Sequence, residues 1–180
     1  QRFCALLDLA SAHIRGADTQ GGHIALQEAL CIADEHNDPE ALIVAHTRLG
    51  LLHLEQGQTT KAQPHLEAAL KTARREEDDL NTVLTSSLLC AIYMNQDDPV
   101  RAGETADGLL IAGARRANWF AVVDGHITRS TLLLLDGDTI GAISRLVRAA
   151  IHLRELVPAA AINLLKGRLA ELRFSLGATE

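Results

Sequence analysis

Aromatic residues are scarce in this sequence: three Phe, one Trp and one Tyr, 3% of its 180 positions. The β-branched and aromatic residues that strands favour are thin on the ground while Ala and Leu abound, which argues against a sheet-based fold and for an all-α chain. Long apolar runs are missing as well. Even Thr131 to Leu135 is closed by Asp136-Gly137-Asp138, so nothing approaches a membrane span, and no charged segment followed by an apolar one marks a signal peptide. There is no excess of positive charge. A formal net charge of −6 and a pI near 5.7 speak against a dedicated nucleic-acid binder, since phosphate binding leans on clustered Lys and Arg. One stretch departs from that balance: Arg145, Arg148, Arg154, Lys166, Arg168 and Arg173 face only Glu155 and Glu171, a distribution that fits a solvated face on two helices. Cysteine is limited to Cys4, Cys31 and Cys90, odd in number and widely spaced in apolar helical stretches. They read as small core residues in a reducing, cytoplasmic compartment rather than as a disulfide or metal set.

Catalytic signatures are also absent. There is no G-x-x-x-x-G-K-[ST] or G-x-G-x-x-G loop, no G-x-S-x-G elbow and no H-E-x-x-H helix. Among the eight His, His46 and His53 share a helix face seven residues apart without a third ligand at useful spacing. Asp97-Asp98 and Asp136/Asp138 fall in turns, where capping explains them. No enzymatic activity, cofactor or metal is therefore expected.

What the chain does have is repetition every forty residues. On that offset Asp38, Asp78, Asn118 and Pro158 share one column, and Ala17, Gly57, Asp97, Gly137 and Gly177 another. Further columns read Gly22, Ala62, Ala102, Ala142 and Ala10, Gly50, Cys90, Ser130, Ala170. Small residues held in phase at such a period mark an array whose units bury their apolar faces against neighbours. Repeats fall at about 1–37, 38–77, 78–117, 118–157 and a half repeat 158–180. The chain begins at Gln1 rather than Met and enters a helical pattern at once, as expected of a piece of something longer.

Each period resolves into two amphipathic helices. From Pro39, Leu42, Ala45, Leu49 and Leu52 recur at three- and four-residue steps up to Gln56-Gly57; from Gln58, Ala62, Leu66, Ala69, Leu70 and Ala73 do the same. Asp38, Asp78 and Asn118 suit the N-cap of the first helix of a pair, and Asp18, Asp98 and Asp138 that of the second, with Pro39 and Pro99 at first helical positions. These signals predict helices over 3–15, 21–36, 39–56, 59–76, 79–96, 99–116, 119–136, 139–156 and 159–176. Gly50, Cys90, Ser130 and Ala170 are expected to meet Ala62, Ala102 and Ala142 where paired helices cross. His13, His53 and Tyr93 form a column of planar rings at the hairpin seam, and His36 sits where a helix C-terminus favours it. Trp119 and Phe120 are adjacent, so at most one points inward; a gap between repeats and a partner anchor are both open to the other.

Leu49-Gly50, His53, Gly57, Ala62, Leu66 and Ala69 match the small, aromatic, turn and Ala positions of a tetratricopeptide repeat. Over its whole length the chain resembles that family, in a forty-residue variant without the usual Trp and Pro, similar to kinesin-light-chain-like proteins and to the sensing regions of maltose-regulator-type transcriptional activators. The resemblance implies an α-solenoid of antiparallel helix hairpins, about nine helices wound as a right-handed superhelix whose concave surface is lined by the first helix of each pair. Carried over by position, that lining includes Val44, Thr47, Arg48, Leu51, Leu54 and Glu55, then Leu84, Ser87, Ala91, Met94 and Asn95, then Asp124, Ile127, Thr131 and Leu134. A helical phase turned by about one hundred degrees would make the same residues core. The carboxylate clamp of some relatives would need several cations where this chain offers Leu7, Ser11, Leu51, Leu84 and Ser87, with Arg48 alone suited.

The expected function is a non-enzymatic interaction module binding a peptide or helix along the concave surface, Leu51→Glu with Met94→Glu abolishing binding. The alternative is a ligand-sensing segment of a large signalling protein or transcriptional activator, in which another domain of the parent is the partner. Neither nucleic acid nor membrane is expected to be bound directly. A homodimer through the terminal helix is open, because that helix ends at Ser175-Leu176-Gly177 where the next repeat would pack.

Overall fold

Every twenty residues the chain makes the same turn. The computed structural model describes residues 1–156 together with Asn163, Lys166 and Gly167. Eight helices occupy this span: α1 (Arg2–Arg15), α2 (Thr19–Glu35), α3 (Pro39–Glu55), α4 (Thr59–Arg75), α5 (Asp79–Asn95), α6 (Pro99–Arg115), α7 (Trp119–Leu135) and α8 (Thr139–Leu156). No strand occurs among the described residues. The chain is all-α, and helices pack on their sequence neighbours, α1 on α2, α2 on α3 and α3 on α4, and likewise α6 on α7 and α7 on α8, in the manner of an α-solenoid. Apart from Asn163, Lys166 and Gly167, the expected ninth helix, 159–176, and the half repeat 158–180 with its apolar end lie outside the described residues.

The joints follow one hydrogen-bonding scheme. Ala17, Asn37, Gly57, Glu77, Asp97, Ala117 and Gly137 all have left-handed φ, between 49° and 80°. In each joint that residue's N–H donates to the carbonyl three back, and the next N–H to the carbonyl five back, as in Ala17 to Ile14 at 3.0 Å and Asp18 to His13 at 2.9 Å. This Schellman pair satisfies carbonyls that a helix end would otherwise leave open. The residue after the left-handed one then caps the next helix: Asp18, Asp38, Asp78, Asp98, Asn118 and Asp138 accept from the N–H three residues on, at 2.8–3.2 Å. Gln58 caps without a side-chain bond. Joint geometry thus repeats at twenty residues, whereas the packing columns repeat at forty. Only Gly57 and Gly137 carry the residue that the left-handed region favours, which hid the shorter period.

Pairs of residues across each hairpin show that adjacent helices run antiparallel. On α3 and α4, His46 meets His65, Gly50 meets Ala62 and Leu66, and His53 meets Gln58, so one index falls as the other rises. A Cβ on Gly50 would lie 2.6 Å from Cγ of Leu66, which is why the close crossing requires the small residue there. Gly22 plays the same part against Ile14 and the Ala10 carbonyl. At the α7–α8 crossing, Ser130 Oγ donates to the Ala142 carbonyl at 3.0 Å, so the small column there contributes a bond as well as space.

Contacts divide the chain into two compact units, Gln1–Ile92 and Tyr93–Glu180. In the first, Leu6, Ala10, Ala25, Leu26, Ala29, Leu49 and Leu52 form a buried cluster from α1, α2 and α3, flanked by half-buried Phe3, Ile14 and Leu30. In the second, Ala106 and Leu109 of α6, Ala121 and Leu132 of α7 and Ala142 and Leu146 of α8 are buried. Arg129 of α7 pairs with Asp107 of α6, its Nε donating at 2.8 Å. One expectation is corrected here. Cys90 is buried, but Cys4 and Cys31 are exposed, because each lies on the side of its helix turned away from the α1–α2–α3 cluster.

Candidate functional site

Between α1 and α3 the first unit carries a cavity of about 240 Å³. Ile14, Leu26, Leu51 and Leu52 supply its apolar wall, and Ser11, Arg15, Arg48 and Glu55 its polar rim. Arg48 is held in place: its Nη1 donates to Ser11 Oγ at 3.0 Å, and that hydroxyl donates onward to the Leu7 carbonyl at 2.8 Å. One edge of the guanidinium is thereby fixed across the cleft. Arg15, Arg48 and Glu55 form no ion pair among the described residues, so two guanidiniums and one carboxylate surround the apolar wall with their charges unspent. Sites for drug-sized molecules run from about 300 to 1,000 Å³. A smaller cavity suits one apolar side chain of a docked segment, or a compact metabolite.

The residues expected on the inner face are distributed unevenly. Arg48 and Leu51 line the cavity, joined by Glu55. Val44 and Leu54 are half-buried on the same helix, and Leu84, Ser87 and Ala91 on α5 are accessible to differing degrees. In the second unit, Met94 is half-buried, Asn95 exposed, and Ile127 and Thr131 half-buried on α7, where Thr131 Oγ1 donates to the Ile127 carbonyl at 3.1 Å. Thr47 belongs elsewhere. It is 5% exposed, with an Oγ1 that has no hydrogen-bond partner, because α3 is covered on more than one side and this position turns inward.

Away from the cavity, four imidazoles stand in a row through α2, α3 and α4. His23 meets His53 edge-on at 5.2 Å between centroids, His53 stacks on His65 at 5.7 Å, and His65 meets His46 at 5.3 Å. The Nδ1 atoms of His46 and His65 share a hydrogen bond of 3.1 Å, and His53 Nδ1 donates to Gln58 Oε1 at 3.2 Å. Burial holds His65 down at about 4, reinforced by the neighbouring His46, His53 and His23. Burial also lowers His46, against the pull of Asp34, and His53, against its bond to Gln58. Neutral rings are the favoured state of His46, His53 and His65.

The second unit repeats the theme with different partners. His152 of α8 is sandwiched between Trp119, stacked at 5.1 Å and 7°, and His126, stacked at 6.0 Å and 12°. Trp119 therefore fills space between helices while Phe120 stands 63% exposed. His126 is 7% exposed, its Nδ1 lacks a partner, and burial followed by the charges of Arg145, His152 and Arg148 keeps it at about 4. The ring column at the hairpin seams closes onto the following cap: His13 Nδ1 lies 2.7 Å from Asp18 Oδ2, and Arg101 stacks over the Tyr93 ring at 4.9 Å.

Of the cavity's α1 wall only Ser11 stood among the expected inner positions, and His23 and His65 of the row were not singled out from sequence. A usable signal existed. With the α3–α4 turn at Gly57, antiparallel pairing sets His46 opposite His65, just as it sets His53 opposite Gln58. Among the described residues, no group of three or more His, Cys, Asp or Glu is placed to hold a metal ion, and no helix is long and apolar enough to cross a membrane. Neither a family model nor a curated protein matches the sequence.

Proposed function

We propose that this chain is a non-enzymatic binding module, a tetratricopeptide-like array that holds a segment of another protein on the face formed by the first helices of its hairpins. The observation that carries this reading is the α1–α3 cavity. Its apolar wall and unspent charges coincide with Arg48 and Leu51, two positions that the resemblance to tetratricopeptide repeats implies for that face. A docked segment would bury one apolar side chain against Leu26, Leu51 and Leu52 and set polar groups against Arg48 and Glu55, as short motifs do in preformed grooves.

Panning a random peptide display library against the intact chain tests this. Enrichment of a shared motif that binds the wild type and loses at least about tenfold in affinity to Leu51→Glu, with the helical circular dichroism unchanged, supports it. Absence of enrichment, or binding indifferent to Leu51→Glu, refutes the site. The small volume of the cavity favours one second reading, a sensor for a compact effector within a larger regulatory protein. Stabilisation of the chain by a metabolite panel in a thermal-shift screen, removed by Arg48→Gln, would favour that reading over the first.

A further inference from the structure

Four of the eight His in this chain stand in one unbroken row across three successive helices, and nothing in a binding cleft between α1 and α3 requires them. We propose that the row of His23, His53, His65 and His46 is a proton-operated latch, which packs α2 and α4 against α3 while its rings are neutral and releases them when the rings are protonated. The inference is independent of what the cleft binds.

Geometry carries the argument. Neutral imidazoles 5–6 Å apart attract through ring packing, and the His46–His65 bond requires at least one Nδ1 to accept. Protonation of both rings turns both Nδ1 atoms into donors, so the bond is lost and replaced by repulsion between like charges. The surroundings offer little relief. Asp34 of α2 is the carboxylate acting on His46, Lys61 of α4 adds positive charge beside His53, and Gln58 is a neutral acceptor. A second or third proton on the row therefore enters against existing charge. Separation of the helices relieves it by letting water in between the rings.

The sign follows from linkage. His46, His53 and His65 bind protons less readily when folded than free imidazole, whose ordinary value is about 6.5, so the open state takes up more protons as the pH falls. The latch is closed above about pH 6.5 and loses its hold on the way down towards 4, the value at which the folded His65 itself titrates. Below that point acidification adds nothing further through His65.

The test is amide hydrogen exchange on the intact chain at pH 7.5 and pH 5.0, corrected for intrinsic exchange, in the wild type and in His65→Gln. Wild-type α2–α4 amides are expected to open roughly thirtyfold more often at pH 5.0, the factor for one ring displaced from 6.5 to about 4. His65→Gln should remove most of that rise. A change of less than about threefold in the wild type, or an equal rise in the variant, overturns the proposal. Should His65→Gln fail to fold, His46→Gln, which removes the other half of the Nδ1–Nδ1 bond, serves in its place. NMR titration of the wild-type His65 ring protons decides without any variant: titration well below the ordinary imidazole value sustains the latch, and titration near 6.5 overturns it.

Discussion

Gly50→Ala isolates the crossing of α3 and α4, because propensity and packing pull in opposite directions there. In an unconstrained helix interior, Ala is favoured over Gly by about 1 kcal/mol. At Gly50 the added methyl would lie 2.6 Å from Cγ and 2.7 Å from Cδ2 of Leu66, a side chain with no exposed surface, with the Ala62 carbonyl behind it at 3.5 Å. Cγ is a branch point and cannot swing aside as a chain tip can. Overpacking of this kind costs roughly 1–3 kcal/mol, which outweighs the propensity gain. We expect Gly50→Ala to lower stability by about 1–2 kcal/mol in urea titrations followed by circular dichroism, or roughly 2–4 °C in Tm for each kcal/mol. Gly103→Ala is the control. There the nearest atom is Nη1 of Arg129, at 2.8 Å, at the end of a long side chain that Asp107 holds through Nε, and the next atoms are at 3.5 Å, so a change of no more than about 1 kcal/mol in either direction is expected. A Gly50→Ala protein as stable as the wild type would refute the close-crossing argument. So would a Leu66→Ala change that costs as much in the Gly50→Ala background as alone, since contacting residues should couple by at least about 0.5 kcal/mol.

Three further outcomes are expected. Ala117 holds a left-handed φ of 51°, which costs a residue with a Cβ about 1 kcal/mol, so Ala117→Gly should raise the urea midpoint by a few tenths to about 1 kcal/mol equivalent; a lowered midpoint contradicts the joint geometry. Pro64 lies inside α4, where it withholds an N–H from the helix, and Pro64→Ala should stabilise by up to about 3 kcal/mol in the same assay, no gain meaning that the helix has already adjusted around the ring. Buried His126 sits at about 4, so the unfolded chain takes up protons more readily as the pH falls from 6.5. His126→Leu should therefore stabilise more at pH 5.0 than at pH 7.5, by roughly 2 kcal/mol from linkage, and an equal effect at both values would show that His126 titrates normally.

The array was legible because its signals are local. Asp and Asn at the caps, Pro39 and Pro99 at first helical positions, and small residues at forty-residue spacing each act within a few residues or across one crossing. α1 and α3 to α8 consequently stand within one residue of their expected bounds, and only the start of α2, at Thr19, is displaced by two. What stayed hidden depends on how much of each helix its neighbours cover. An amphipathic pattern separates an inside from an outside, and α3 barely has an outside: only Glu40, Arg48 and Glu55 among its seventeen residues are exposed. Thr47 was placed on an accessible face for that reason, and Cys4 and Cys31 in a core that does not cover them. Arg48 and Leu51, which do line the cavity, were reached by position from the tetratricopeptide resemblance and not from the apolar pattern of α3.

The coverage of α3 ties its two faces together. At about 100° per residue, His46 and His53 lie seven positions apart on one side, and Arg48 and Glu55, also seven apart, lie about 200° further round. One helix thus presents the cavity rim on its front and the imidazole row on its back. Its own backbone bonds keep it a rigid rod, so a change at the back reaches the front as a shift of the whole rod against α1 rather than as a local rearrangement. The first atoms to register such a shift would be Arg48 Nη1 and Ser11 Oγ, whose 3.0 Å bond is the polar link spanning the cleft. Loss of that bond would free the guanidinium without disturbing Leu51 or Leu52, so acid should weaken the hold on a ligand's polar group before it weakens the apolar one.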